Sequence, residues 1–380
     1  MTQVADTTAG RNAATDERPV MVFSSDNHVG PRLQEDLRQY CPEKYLAAFD
    51  DYANSPMGDA VRNRVINEPA YSDAYIHGRS RNLETAGHYD AETFVRDMDH
   101  EGISGAVIFH QSLNGQPFPL DVTNSFGQGI PSADTQELAG VGRAIYNRWL
   151  ADFCSVAPER FVGLAQLPFW DIDAAINELE WCADHGLDGV NFPAPGTSGM
   201  VQPHDDEMDA FFAAAAALDM TLTTHIGAGP PQPQGPRPGL EQGLTNMSFG
   251  LVDSLAWGLR TAYMLCMFGI FENHPNLKLV GDPANALVSG EDPFPGGYNL
   301  IPKGRIVHVH VKDCHMEGHK PIWGPVGTRH VDWKGQIAAL RADGYDGWLS
   351  LETHWAGPGG NDKMAASTIC GWNMRGLASS

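Results

Sequence analysis

The chain has 380 residues and carries 25 Lys and Arg against 47 Asp and Glu, a formal net charge of −22. Apolar residues make up 42% and charged residues 19%, a balance typical of a soluble globular enzyme and far from that of a disordered chain. Such acidity repels the phosphates of nucleic acids and of anionic membrane surfaces, so neither is expected as a partner; the length admits two or three domains or one large α/β barrel.

No window approaches the roughly 18 uninterrupted apolar residues that span a bilayer. Residues 1–19 are polar and lack the apolar stretch of a signal peptide, so they read as a disordered tail. The six cysteines are scattered without a CxxC pair, which suits buried thiols of a cytoplasmic protein.

In chain order, short β-rich runs alternate with helical patterns: VMVFSSD (20–26), SGAVIFHQ (104–111), FVGLAQL (161–167), GVNFP (189–193), MTLTTH (220–225), LKLVGD (277–282), RIVHVHVK (305–312) and GWLSLET (347–353). Apolar spacings of three and four predict helices over 135–157, 171–185, 206–218, 247–273, 333–343 and 363–375, with Asp171 and Asp205 as N-caps. Eight strands alternating with helices is the count that closes a (β/α)8 TIM barrel, so residues 20–380 are expected to form one such barrel. Residues 291–304 should hold the helix between strands 6 and 7, but their Pro and Gly disfavour one.

The surplus length falls into long loops after strand 1 (30–90) and after strand 5 (226–246). In such barrels loops of this kind lie on the catalytic face, where they can cover a small-molecule substrate; the alternatives are mobile insertions or a homo-oligomer contact. The charge balance is −21 over residues 1–280 and −1 over 281–380, so the acidic excess stops near strand 6.

The strand ends carry the chemistry. Strand 1 ends in Asp26-Asn27-His28, strand 5 in His225 and strand 6 in Asp282; strand 7 carries His308 and His310, and strand 8 ends in Glu352 followed by His354. Alternation of strand side chains points Asp26 and His28 together, and likewise His308, His310 and Lys312, leaving Val307, Val309 and Val311 for the helix side. Carboxylates and imidazoles ending five different strands suit a divalent cation, Zn²⁺ or Mn²⁺, which offsets their clustered charge and activates water or polarises a bound carboxylate. His110 can reach the pocket or sit satisfied inside the barrel. His77, His88, His100, His185, His204, His274, His315, His319 and His330 read as solvated. Trp170, Trp323 and Trp355 are pocket-wall candidates, whereas Trp149 and Trp181 fall in helices as core.

Two resemblances follow from longer stretches. Through SSDNHVGPRLQEDLRQYCPEKYLAAF, YNRWLADFCSVAPERFVGLAQLP, GLDGVNFPAP, TTHIGAG and FGIFENHPNLKLV, residues from about 20 to 280 resemble the amidohydrolase-related family that includes aminocarboxymuconate-semialdehyde decarboxylase. That resemblance implies metal ligands at Asp26, His28 and His225, with Asp282 in the place of the family's strand-6 His or Glu, and Glu352 in that of its strand-8 Asp. Through DPANALVSGEDPF, RIVHVHVKDCH and PVGTRHVDWKGQIAALRADGYDGWLSLETHW, residues from about 277 resemble the last units of xylose-isomerase-like sugar-phosphate isomerases and epimerases. There Asp282, His310 and Glu352 match three of four metal ligands, while strand 4 offers only Asn191 where that family has an acid.

Together these imply a hybrid barrel acting as a metal-dependent hydrolase or decarboxylase on a small organic acid or ring compound. Asp26, His28, His225 and Asp282 then hold the metal, Glu352 orients or deprotonates water, and His310 serves as acid/base or as an additional ligand. The alternatives are a sugar or polyol isomerase, epimerase or dehydratase, and an inert barrel.

Overall fold

The computed structural model describes residues 23–55, 84–112, 114–121, 129–225, 261, 263–288, 290–318, 320–360 and 362–379. The expected tail, the 226–246 loop and most of the 247–273 helix lie outside these residues. The strands are β1 (Phe23–Val29), β2 (Gly105–His110), β3 (Phe161–Ala165), β4 (Gly189–Asn191), β5 (Thr221–Thr223), β6 (Leu279–Gly281), β7 (Ile306–Val311), β8 (Asp313–Glu317), β9 (Lys320–Gly324) and β10 (Trp348–Leu351). Eight of them form one parallel sheet in the order β5-β4-β3-β2-β1-β10-β7-β6, the strand sequence of a TIM-barrel-like fold. β5 and β6 end the order; they approach within 8 Å, yet no ladder joins them among the described residues.

The helices are α1 (Leu46–Ala53), α2 (Ala91–Glu101), α3 (Gln136–Ser155), α4 (Ile172–Asp184), α5 (Asp206–Ala217), α6 (Ile270–Asn273), α7 (Pro283–Val288), α8 (Tyr298–Leu300), α9 (Trp333–Ala342) and α10 (Lys363–Ser379). Asp171 caps α4 by accepting from Ala174 N at 3.0 Å. Asp205 occupies the N-cap position of α5, but its carboxylate accepts from Gln202 N at 2.7 Å instead, so that cap is not made. Within 291–304 the helical turns are Pro293–Gly297 and α8, both short, as the Pro and Gly content of that segment requires; α7 precedes them after β6. The antiparallel hairpin of β8 and β9 after β7 lies outside the eight runs read from the sequence; its residues do not alternate cleanly, and among the described residues the two strands pair with each other.

Each strand divides its side chains between two layers. Ala106 and Ile108 of β2 join the large apolar cluster under the helices, whereas Val107 and Phe109 pack with Leu164 on the opposite face. Val309 and Val311 of β7 belong to a second cluster, with Trp333, Leu340, Cys370 and Met374, so the valine face lies where alternation puts it. Five cysteines are buried as expected, and Cys266 is exposed. His274 is also a correction: it is buried at 8% exposure, and its Nε2 bonds Asp209 Oδ1 at 2.7 Å.

Candidate metal centre and a lysine-bridged carboxylate pair

The β1–β2 register skips between Ser24 and Asn27: three steps along β1 match two along β2. Such a bulge re-aims the side chains beside it. Beyond it His28 stands opposite Phe109, on the interior face, and the two rings lie 5.5 Å apart. Phe109 also packs edge-on against His225, 5.0 Å away, so one phenyl ring floors both imidazoles.

Three donor atoms converge above that floor. His28 Nε2 is 3.1 Å from Asp26 Oδ1, His225 Nε2 is 3.2 Å from His28 Nε2, and His225 Nε2 is 3.6 Å from Asp26 Oδ1. Ligands at about 2.0–2.2 Å from one ion, at octahedral or tetrahedral angles, stand roughly 2.8–3.6 Å apart. All three separations fall in that range, so the trio fits a divalent cation. His28 Nδ1 lies 2.7 Å from the carbonyl oxygen of His110, to which it can donate, leaving Nε2 as the unprotonated, ligating nitrogen. Partial desolvation pushes the Asp26 carboxyl up, but hydrogen bonds to His225 and His28 outweigh it and hold the group well below the usual carboxylate range. The ion pairs of Asp26 among the described residues are with these two histidines.

Asp282 is not brought to this trio. It groups with His310 and Glu352 at the ends of β6, β7 and β10. His310 Nδ1 is 3.0 Å from Glu352 Oε2 and 3.4 Å from Asp282 Oδ2. Lys312, 1% exposed, donates to Asp282 Oδ2 at 2.7 Å and to Glu352 Oε2. Asp282 also accepts from Asn285 N and Nδ2 at the start of α7, and Glu352 Oε1 lies 3.1 Å from His354 Nε2. Burial works against charge on His310, yet the two carboxylates raise it to about 9, so it is an imidazolium at neutral pH. Burial likewise pushes the Glu352 carboxyl up, but His310, His354 and Lys312 hold it far below its ordinary value.

The interior placement of Lys312 follows from the alternation of His308, His310 and Lys312; its role as the cation between two acids does not show in the sequence. His110 takes neither expected position. Its ring is edge-on to Phe118 and Tyr146 on the helix side, and it is the backbone carbonyl that serves His28. Trp149 is core, at 5% exposure. Trp181 stacks on His185 with the Arg148 guanidinium 3.7 Å from its ring centroid, and Trp170 takes Arg143 at 4.4 Å. Trp323 stacks on His354 beside the Glu352 carboxylate.

A family model described as a xylose isomerase-like TIM barrel matches residues 267–370. Over 197 residues the chain is 27% identical to gamma-resorcylate decarboxylase of Rhizobium sp. (strain MTP-10005), a match covering 50% of this chain and 54% of that protein. The chain thus matches about half the length of this curated relative. Among solved structures, 5-carboxyvanillate decarboxylase from Novosphingobium aromaticivorans DSM 12444, complexed with manganese, is 20% identical, with 71% of this chain and 67% of that one covered and a TM-score of 0.46. A 2,6-dihydroxybenzoate decarboxylase from Rhizobium is 18% identical, with 87% of each chain covered and a TM-score of 0.42. A dihydroxybenzoic acid decarboxylase from Polaromonas sp. JS666 with bound manganese is 16% identical, covering 94% of this chain and 97% of that one, at a TM-score of 0.44.

Proposed function

We propose that this chain is a metal-dependent decarboxylase of amidohydrolase type acting on a small carboxylic acid, an aromatic one by the analogy of gamma-resorcylate decarboxylase. The observation that carries the reading is the convergence of Asp26, His28 and His225 at ligand spacing. These three residues hold a divalent ion, Mn²⁺ or Zn²⁺, which when bound polarises the substrate's oxygen donors. Phe109 fixes the planes of both imidazoles, and the His110 carbonyl fixes the tautomer of His28.

Decarboxylation breaks the bond to the carboxylate carbon, releases CO₂, and needs one proton at the carbon left behind. His310 is the proposed donor, because the Asp282 and Glu352 carboxylates keep it protonated at neutral pH. Glu352 and Asp282 stay ionised and hold the imidazolium, and solvent returns the proton to His310, whose side chain is partly exposed. Hydrolysis by the same metal centre is the variant of this reading in which water replaces the proton as co-reactant.

A second reading, an isomerase, epimerase or dehydratase acting on a sugar or polyol, is favoured by the match of residues 267–370 and by the grouping of Asp282, His310 and Glu352. Against it, strand 4 supplies the buried amide of Asn191 and no second acid to move a proton. The chain loaded with Mn²⁺ and given 2,6-dihydroxybenzoate is expected to release CO₂, and given an α-deuterated keto-sugar to retain the label. Loss of the label without CO₂ release from any aromatic acid reverses the choice.

A further inference from the structure

Asp282 Oδ2 and Glu352 Oε2 are the oxygens that face His310 Nδ1, so an ion shared with that nitrogen would lie against them. Both are already bonded by the ammonium of Lys312. The lysine has nowhere to withdraw: it is 1% exposed, its neighbours Val311 and Asp313 are equally buried, and Trp333 Nε1 donates to its carbonyl at 3.0 Å. The two carboxylates therefore already share one buried cation, the Lys312 ammonium. The Asp26 trio has only imidazoles around its carboxylate and no such internal cation among the described residues.

We infer that the Asp282–His310–Glu352 group is not a metal site in this chain: Lys312 takes the cation's place, and the four residues form a metal-free clamp across the ends of β6, β7 and β10. This departs from what resemblance to the xylose-isomerase-like barrels implies for the same three residues. It stands apart from the metal role given above to the Asp26 trio, and one set of measurements separates the two.

The full-length protein is dialysed to equilibrium against Mn²⁺ and its bound metal counted by elemental analysis, for the wild type, Glu352→Gln and His225→Ala. The expected result is one ion per chain in the wild type, still one in Glu352→Gln and none in His225→Ala. Two ions falling to one in Glu352→Gln, or one ion lost in Glu352→Gln and kept in His225→Ala, overturns the clamp. A wild type that binds none sinks the trio as a metal centre and leaves the clamp standing. The converse test uses His225→Ala/Lys312→Met, which opens the second position. Mn²⁺ is expected to raise the melting temperature of the double variant and to leave that of His225→Ala unchanged; a rise in His225→Ala overturns the inference. Should the double variant fail to fold, the Glu352→Gln comparison still decides.

Discussion

Replacing His225 with Ala removes one of three protein donors from the candidate metal centre and leaves Asp26 and His28, two positions apart on one strand, with Asp26 Oδ1 3.1 Å from His28 Nε2. Loss of an outer-shell partner of a metal ligand weakens binding by about 10–100-fold. Loss of a direct ligand costs at least the upper end of that, about 100-fold or about 2.8 kcal/mol at 1.4 kcal/mol per decade. The residual pair cannot recover it by moving, because His28 is tied at Nδ1 to the His110 carbonyl and packed on Phe109. Titration calorimetry with Mn²⁺ measures the change. His185→Ala, at the end of α4, serves as the control and is expected to bind as the wild type does. Metal affinity unchanged in a folded His225→Ala protein refutes the trio.

Chelation tests the same centre through stability. An ion present at 100 times its dissociation constant stabilises by about 2.7 kcal/mol. Spread over the unfolding entropy of 380 residues, about 0.8 kcal/mol per degree, removal lowers the melting temperature by roughly 3 °C. A thermal scan with and without EDTA should show that drop in the wild type and none in His225→Ala. Arg143 and Asp121 form an ion pair buried at 3% and 1% side-chain exposure, with the Arg143 guanidinium also donating to Gly129 O. Arg143→Met removes the buried cation that faces the Asp121 carboxylate and should cost about 3–5 kcal/mol, which on the same scale is roughly 4–6 °C; an unchanged melting temperature contradicts the pairing. His308 is lowered to about 3 by burial, with the charge of His310 5.3 Å away adding to it, and its Nε2 has no hydrogen-bond partner among the described residues. A depressed histidine contributes stability that is whole above its unfolded value of about 6.5 and is lost as pH falls toward the folded one. Denaturant midpoints should therefore fall between pH 6.5 and 5 in the wild type and stay flatter in His308→Leu, since carboxylates have yet to titrate in that window.

Strand positions were readable because parallel, two-sided burial writes runs such as GAVIFH, all six of whose residues are buried. The convergence of Asp26 and His28 was readable from their spacing of two, and the bulge at Ser24–Asn27 changes their aim without parting them. Three things were not readable. The His110 ring and its carbonyl serve different layers, and sequence pattern speaks only of the ring. His274 reads as a solvated helix-end residue until Asp209, 65 positions earlier, is brought to it by α5. Lys312 was placed on the inward face, but that it fills the space between Asp282 and Glu352 depends on the register of β7 against β6 and β10, which no local signal sets.

That register bears on how the two groups can work together. The Asp26 trio draws on β1 and the end of β5, and the Lys312 group on β6, β7 and β10, so each is internal to one part of the sheet. The apolar clusters divide in the same place, one running from Val29 to Leu277 and the other from Ala284 to Met374. Contacts between the two parts include the β1–β10 pairing at Phe23 and Ser350, the stacking of Phe23 on Trp348 at 4.2 Å, the bonds of the Arg305 guanidinium to the Leu277 and Phe271 carbonyls, and the unladdered approach of β5 to β6. The geometry within each group is therefore insulated from small movements at these junctions, since no donor distance inside a group crosses them. The distance from the metal position to the His310 proton does cross them. Metal binding and clamp stability should then survive substitutions at the junction that abolish turnover, and Phe23, which carries the pairing and the stack alike, is the residue at which the two properties come apart.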